Sequence, residues 1–195
     1  DALALFFLSE AQKKGELEIP GCTTVGGNAE VEQTSRNTIK IWEMAGAKIP
    51  VASGAERPLL SSLNTAPLVH GDDGLGNTFL PAPKESPSEE SAADMILRIS
   101  HQYAGELTLL TTAPLTNLGA ALLHDPTLAG RIRNLVCMGG AVFTGNVSAV
   151  AEANIYNDPE AARIVFCSGI ETIMIGLDVT HKVYWEDGDL QPLED

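Results

Sequence analysis

Basic residues are scarce in this chain: 12 Lys and Arg stand against 26 Asp and Glu, giving a formal net charge of −14 at pH 7. No Lys/Arg cluster interrupts that field. A polyanion such as nucleic acid would be repelled, and nucleic acid is excluded as a partner. Charged residues of both signs make up only 19% of the chain, too few for a protein kept unfolded by its charge. Long apolar runs are lacking as well. Nothing approaches the ~20 residues of a membrane span. The apolar run at residues 2–8 is short and has no basic flank of the signal-peptide kind, so no membrane partner is expected. Cysteine is limited to Cys22, Cys137 and Cys167, widely spaced and each inside an apolar run. That pattern excludes a disulfide framework or a zinc knuckle and reads as buried free thiols in a reducing, cytoplasmic setting. No GxxxxGK[ST] or GxGxxG follows a strand, so phosphate-loop enzymes such as sugar kinases are disfavoured.

What remains is a chain of 195 residues, 44% hydrophobic, with a mean hydropathy of +0.05. It suits one domain over residues 1–195 with one packed core. The acid excess concentrates at residues 85–94 and 186–195, which read as solvated loop and tail. Helical and strand patterns alternate throughout. Helices are predicted over 2–14, 30–47, 91–103 and 115–132, with another opened by Asp158-Pro159 and closed by Gly169. Strands are predicted over 17–25, 49–52, 107–112, 134–138 and 171–179, and a Gly/Pro/Ser-rich loop over 54–91. Continuous apolar strands between amphipathic helices imply an α/β fold: a mostly parallel open sheet with helices on both faces. A helix beginning at residue 1 would place the α-amino charge at the positive end of a helix dipole. That arrangement is unfavourable, and it leads us to expect further polypeptide before Asp1.

In an open parallel sheet, ligands bind beyond the carboxyl ends of the strands. The residues placed there are Thr23-Thr24-Val25-Gly26-Gly27-Asn28, then Thr111-Thr112-Ala113-Pro114-Leu115-Thr116-Asn117, then Met138-Gly139-Gly140 leading to Gly145-Asn146 and Glu152-Ala153-Asn154. Asn28, Asn146, Asn154 and Glu152 are suited to sugar hydroxyls, whose donors and acceptors must be matched in pairs. No Lys or Arg lies among them, which disfavours phosphate. Each Asn taken singly also suits a helix cap or a turn. His70, beside Gly71-Asp72-Asp73-Gly74-Leu75-Gly76, could touch a base or protonate a leaving group, or could be an incidental loop residue. The Asp72-Asp73 pair lacks the spacing of an EF-hand.

These segments, with Asp1-Ala2-Leu3-Ala4-Leu5 and Gly176-Leu177-Asp178-Val179-Thr180-His181, occur in the order seen in the inosine–uridine nucleoside hydrolase family, which the chain resembles over nearly its whole length. The resemblance implies a Rossmann-like fold and hydrolysis of the N-glycosidic bond of ribonucleosides with a bound Ca2+. It gives Asn28, Asn146, Glu152 and Asn154 a role in ribose binding, Met138 a sugar contact and His70 a place near the base. It makes Asp1 a calcium ligand and Thr112 another through its backbone carbonyl. The family's DxDPGxDD motif, of which Asp1 resembles the last Asp, is otherwise absent here, and so is a C-terminal Asp with its adjacent His. No catalytic general base is therefore assigned within the chain. The expectations that follow are a fragment incomplete at both ends with little activity alone, and a complete parent that is a homodimer or homotetramer. The alternative is a non-catalytic nucleoside- or ribose-binding module, or a degenerate truncated homologue.

Overall fold

Every strand pair among the described residues is parallel. The computed structural model describes residues 1–184 together with Glu186 and Asp189, so most of the acidic tail at 186–195 lies outside the described residues. In chain order the elements are α1 (Ala2–Lys13), β1 (Cys22–Thr23), α2 (Val31–Met44), β2 (Val51–Ala52), α3 (Pro67–His70), α4 (Ala92–Gln102), β3 (Leu107–Thr111), α5 (Thr116–His124), a 3-10 segment (Pro126–Arg131), β4 (Ile132–Met138), α6 (Ala153–Asn157), α7 (Pro159–Phe166), β5 (Thr172–Ile175) and α8 (Leu177–Thr180). Among the described residues no helix is long and apolar enough to cross a membrane.

The expected α/β architecture of parallel strands and helices is present, but the strands form two patches rather than one ladder: β1–β2, and β3–β4–β5. Between the patches, Ala52 and Leu107 meet through the side chains of Met95 and Ile99. Alternation along β2 turns Val51 toward Ile39 and Trp42 of α2, while Ala52 faces α4. Helices thus cover both sides of this patch. In the larger patch, Leu135 and Cys137 are fully buried with Leu115, Leu118, Ala161 and Val165 of the α5–α7 layer. The opposite face carries the cross-strand row Leu110–Val136–Ile173, whose outer members stay about half exposed.

Local chemistry explains where the elements depart from expectation. The strand predicted over 17–25 shrinks to two residues because Pro20 has no N–H to give a ladder. A Cβ at Gly21, moreover, would press on Met95 and Ile99. The helix predicted over 115–132 stops at His124. Pro126 cannot continue it, and the Asp125 carboxylate accepts from Thr127 N at 2.9 Å, starting the 3-10 segment instead. The last strand ends at Ile175 rather than Val179. Gly176 lies so close to the Gly140 carbonyl that a Cβ would stand 2.8 Å from it, and Leu177 N donates to that carbonyl at 3.0 Å, which turns the chain into α8. Cys137 is buried, but Cys167 is exposed at the end of α7. The helix at 91–103 forms as expected: Ser91 caps α4 by accepting from Asp94 N at 3.1 Å.

Candidate functional site

The residues picked out at the strand ends fall into two groups. The first is a connected cluster beyond β3 and β4. Glu152, 3% exposed, is the N-cap of α6, a short helix that the sequence pattern had not suggested. Its Oε1 accepts from Asn154 N at 2.9 Å. Its Oε2 accepts from Gly140 N at 2.9 Å and Ile155 N at 3.1 Å. One carboxylate therefore ties the β4 turn to the start of α6. Asn154 Nδ2 reaches the Met138 carbonyl at 3.2 Å, Met138 Sδ at 3.4 Å and the Thr112 carbonyl at 3.4 Å. Asn146 Oδ1 accepts from Ala153 N at 2.9 Å. Thr112, Met138, Asn146, Glu152 and Asn154 are thus gathered by hydrogen bonds at one sheet edge. Burial, opposed by a Thr111 hydrogen bond and reinforced by the Glu152 charge, pushes the adjacent Cys137 thiol up.

The loop between Gly140 and Glu152 is held at both ends. Asp178 accepts from Val142 N at 2.6 Å and Phe143 N at 3.2 Å, and the Val142 amide foremost holds its carboxyl below the usual range. At the far end, the Ala151 carbonyl accepts from Asn146 N at 3.0 Å and Val147 N at 3.1 Å, which fixes the turn that presents Asn146. Asp178 lay inside a recognised segment, yet nothing in its spacing indicated this anchoring role.

The second group surrounds Asn28 and His70. The Asn28 carbonyl accepts from Ala66 N at 2.9 Å, and His70 N donates to Ala66 O at 3.0 Å, so one short segment joins them. A groove of about 260 Å³ here is lined by Asn28, Gln33, Thr65 and Asp72 among others. Asp73 shapes the loop that follows, accepting from Leu75 N, Asn77 N and Phe79 N, each at 2.8 Å. Desolvation works against ionisation there, and these amides outweigh it, holding the carboxyl below its usual range.

Asn117 and Pro114 bring the two groups side by side. Asn117 Nδ2 donates to Thr24 O at 2.8 Å while its Oδ1 accepts from Ala55 N at 2.9 Å. Gly27 abuts Pro114, whose Cδ would lie 3.2 Å from a Cβ there. Asp158, fully buried, goes beyond helix capping. Its Oδ2 accepts from Thr116 Oγ1 at 2.6 Å and Leu59 N at 3.0 Å, and its Oδ1 from Ala161 N at 2.9 Å. Thr116, Asn117 and Asp158 are therefore framework for the site.

For a metal, the donor set is thin. Among the described residues no three His, Cys, Asp or Glu side chains converge. Asp1 is exposed and caps α1 without a side-chain hydrogen bond. The Thr112 carbonyl is engaged by Asn154 only at 3.4 Å. Two oxygens fall well short of the six to eight that calcium takes.

The model of the inosine-uridine preferring nucleoside hydrolases matches residues 1–195. The chain belongs to the inosine-uridine preferring nucleoside hydrolase family. It is 43% identical over 181 residues to uridine nucleosidase 1 of Arabidopsis thaliana, covering 91% of this chain and 54% of the relative. It is 40% identical over 196 residues to the pyrimidine-specific ribonucleoside hydrolase RihA of Salmonella paratyphi B, covering 100% of this chain and 62% of the relative. Among solved structures, a plant nucleoside hydrolase, PpNRh1, superposes with a TM-score of 0.93 at 40% identity, over 99% of this chain and 61% of that one. A purine-preferring ribonucleoside hydrolase from Gardnerella vaginalis does so with a TM-score of 0.92 at 34% identity, over 100% of this chain and 63% of that one. The chain thus spans between half and two thirds of the length of these nucleoside hydrolases.

Proposed function

We propose that this chain carries the ribose-binding part of a nucleoside hydrolase, a protein that splits the N-glycosidic bond of a ribonucleoside into ribose and free base. The observation that carries the reading is the buried Glu152–Asn154 cluster at the ends of β3 and β4, in a member of this family. As the bond from the base to C1′ breaks, the electron pair leaves with the base and positive charge develops on the sugar, which water then captures. A carboxylate beside that sugar stabilises the charge, and amide and carboxylate groups pair with its hydroxyls. Asn28, Asn146, Glu152 and Asn154 are assigned to the ribose, Met138 to a contact with it and His70 to the base side.

Calcium is part of the proposal for a protein of the relatives' length, where it would polarise the attacking water and hold ribose hydroxyls. Asp1 and the Thr112 carbonyl would contribute two oxygens. Because that set is incomplete, no step is derived through the metal, and residues 1–195 alone are expected to bind ribose but turn over poorly. Residence in the cytoplasm and a dimeric or tetrameric parent belong to the same proposal. The thin donor set also favours a second reading, a ribose-binding module without turnover.

The test is ribose release from uridine and from inosine, with calcium and after chelation, by this chain and by a chain extended to the relatives' length. Binding to each is followed by NMR. We expect calcium-dependent release by the extended chain, binding with little release by residues 1–195, and loss of binding in Asn154→Ala. Full activity of the 195 residues would refute the account of the donor set. Binding without release by the extended chain would establish the module instead.

A further inference from the structure

Between Met138 and Ala153 the chain has no regular secondary structure, and its large apolar side chains there stand in solvent. Phe143 is 89% exposed and Val150 85%, with Val142 and Val147 at least half exposed. A segment that buries so little apolar surface is held by its polar contacts. Those contacts fall into two sets. From Gly145 to Ala151 they are internal. The Ala151 carbonyl gathers the Asn146 and Val147 amides, Ser148 Oγ accepts from Ala151 N at 3.1 Å, and a Cβ on Gly145 would collide with Ser148 and Ala151. This tip keeps its own shape, and Asn146 Oδ1 fastens it to Ala153 N. The second set ties the entry of the loop to the rest of the fold. Among the described residues it consists of Asp178, whose Oδ2 accepts from Val142 N and Oδ1 from Phe143 N.

Main-chain chemistry puts Asp178 in place for this. It is the second residue of α8, and Leu177 N just before it donates to the Gly140 carbonyl. The start of α8 therefore sits against the β4 turn, and each carboxylate oxygen takes one loop amide in a charge-assisted bond. No hydrogen bond among the described residues joins Asp178 to a side chain assigned to the sugar. Asn146 is so assigned, and with its Oδ1 engaged by Ala153 N the group it offers a hydroxyl is Nδ2. We propose that Asp178 is a positioning residue for the sugar: by holding the Val142 and Phe143 amides it fixes the entry of the loop, and with it the place of Asn146. This rests on the assignment of Asn146 to the ribose. A carboxylate that touches no sugar then contributes to affinity by pre-organisation. Released from it, a loop in the competent position about a tenth of the time binds about tenfold more weakly.

Uridine and ribose are the probes, titrated into the chain and followed by NMR, with amide hydrogen exchange measured before ligand is added. Asp178→Ala is expected to speed exchange of the Val142 and Phe143 amides about tenfold or more while Leu135 and Cys137 in β4 stay unchanged. Binding of uridine is expected to weaken about tenfold. Both probes are uncharged, so the loss of one negative charge does not itself alter affinity. Asp178→Asn, with one acceptor oxygen, keeps one of the two amides and is expected to fall between. The deciding readout is a cycle with Asn146→Ala, which retains measurable binding through Asn28, Glu152 and Asn154. In that background Asp178→Ala is expected to weaken binding less than about twofold, because the residue it positions is already gone. General loosening of the fold would weaken both backgrounds equally. Additive losses overturn the proposal, and so does unchanged exchange at the two amides or unchanged affinity in Asp178→Ala. A wild type that binds neither probe overturns the ribose assignment itself, and the proposal falls with it.

Discussion

Glu152→Gln is the perturbation whose size can be worked most directly from the geometry. The carboxylate accepts three backbone N–H groups, one on Oε1 and two on Oε2, in a side chain almost fully buried. An amide has one acceptor oxygen. Placed toward Gly140 and Ile155, it keeps two bonds but turns an NH2 against Asn154 N. The two retained bonds lose their charge assistance, roughly 1 kcal/mol each, and the buried donor left without an acceptor costs roughly another 1–3 kcal/mol. A destabilisation of about 3–5 kcal/mol follows, a large share of the ~5–15 kcal/mol typical of a domain. Urea unfolding followed by far-UV circular dichroism, without ligand, measures it as a shift of midpoint at constant slope. Glu171→Gln, at an exposed position, serves as control and should stay within about 0.5 kcal/mol. A Glu152→Gln variant as stable as that control would refute the capping account and leave the carboxylate free to serve the sugar alone.

Asp158→Asn keeps one acceptor oxygen, so either Ala161 N or the pair Thr116 Oγ1 and Leu59 N loses its acceptor, and a loss of about 2–4 kcal/mol is expected in the same assay. Gly54→Ala would drive a Cβ into Asn117 and the Thr24 carbonyl; a loss of several kcal/mol is expected from overpacking at a rigid junction. Asp125, held by Thr127 and then by Arg131, has its carboxyl lowered from 3.8 to about 2. Because the folded value lies below the unfolded one, its stabilising contribution is complete above the unfolded value and fades as pH falls from about 4 toward 2. Urea midpoints taken down that range should fall less steeply in Asp125→Asn than in the wild type, and equal slopes would contradict the assignment.

The sequence was a good guide wherever one local rule acted alone. Asp158-Pro159 before α7 announced its helix because capping is decided within four residues. It was a poor guide where a distant contact decided. Gly176 ends a strand because the Gly140 carbonyl stands beside it, and α6 exists because Glu152 caps it while also holding the β4 turn. Pro126 was readable, and the apolar periodicity on either side of it hid the break. Of the candidate site, the clustering of Asn146, Glu152 and Asn154 followed from strand ends and short spacing. Asp178, Asn117 and Asp158 act on segments 35 to 99 residues away in sequence, and no periodicity carries that information.

Asp73 has one more implication. Three amides are gathered on one carboxylate, Asn77 Oδ1 accepts from Asp72 N at 2.8 Å, and Gln33 and Asn37 of α2 donate to the Asp73 carbonyl, so the turn is drawn by a few polar side chains and the main chain. Phe79 is even held at a φ of +46°, a conformation that bulky residues rarely adopt. The positions between, Leu75 and Gly76, contribute only their backbones to this frame. Such a turn is a mount for interchangeable fittings: the Leu75 side chain can be exchanged with the path of the chain left as it is.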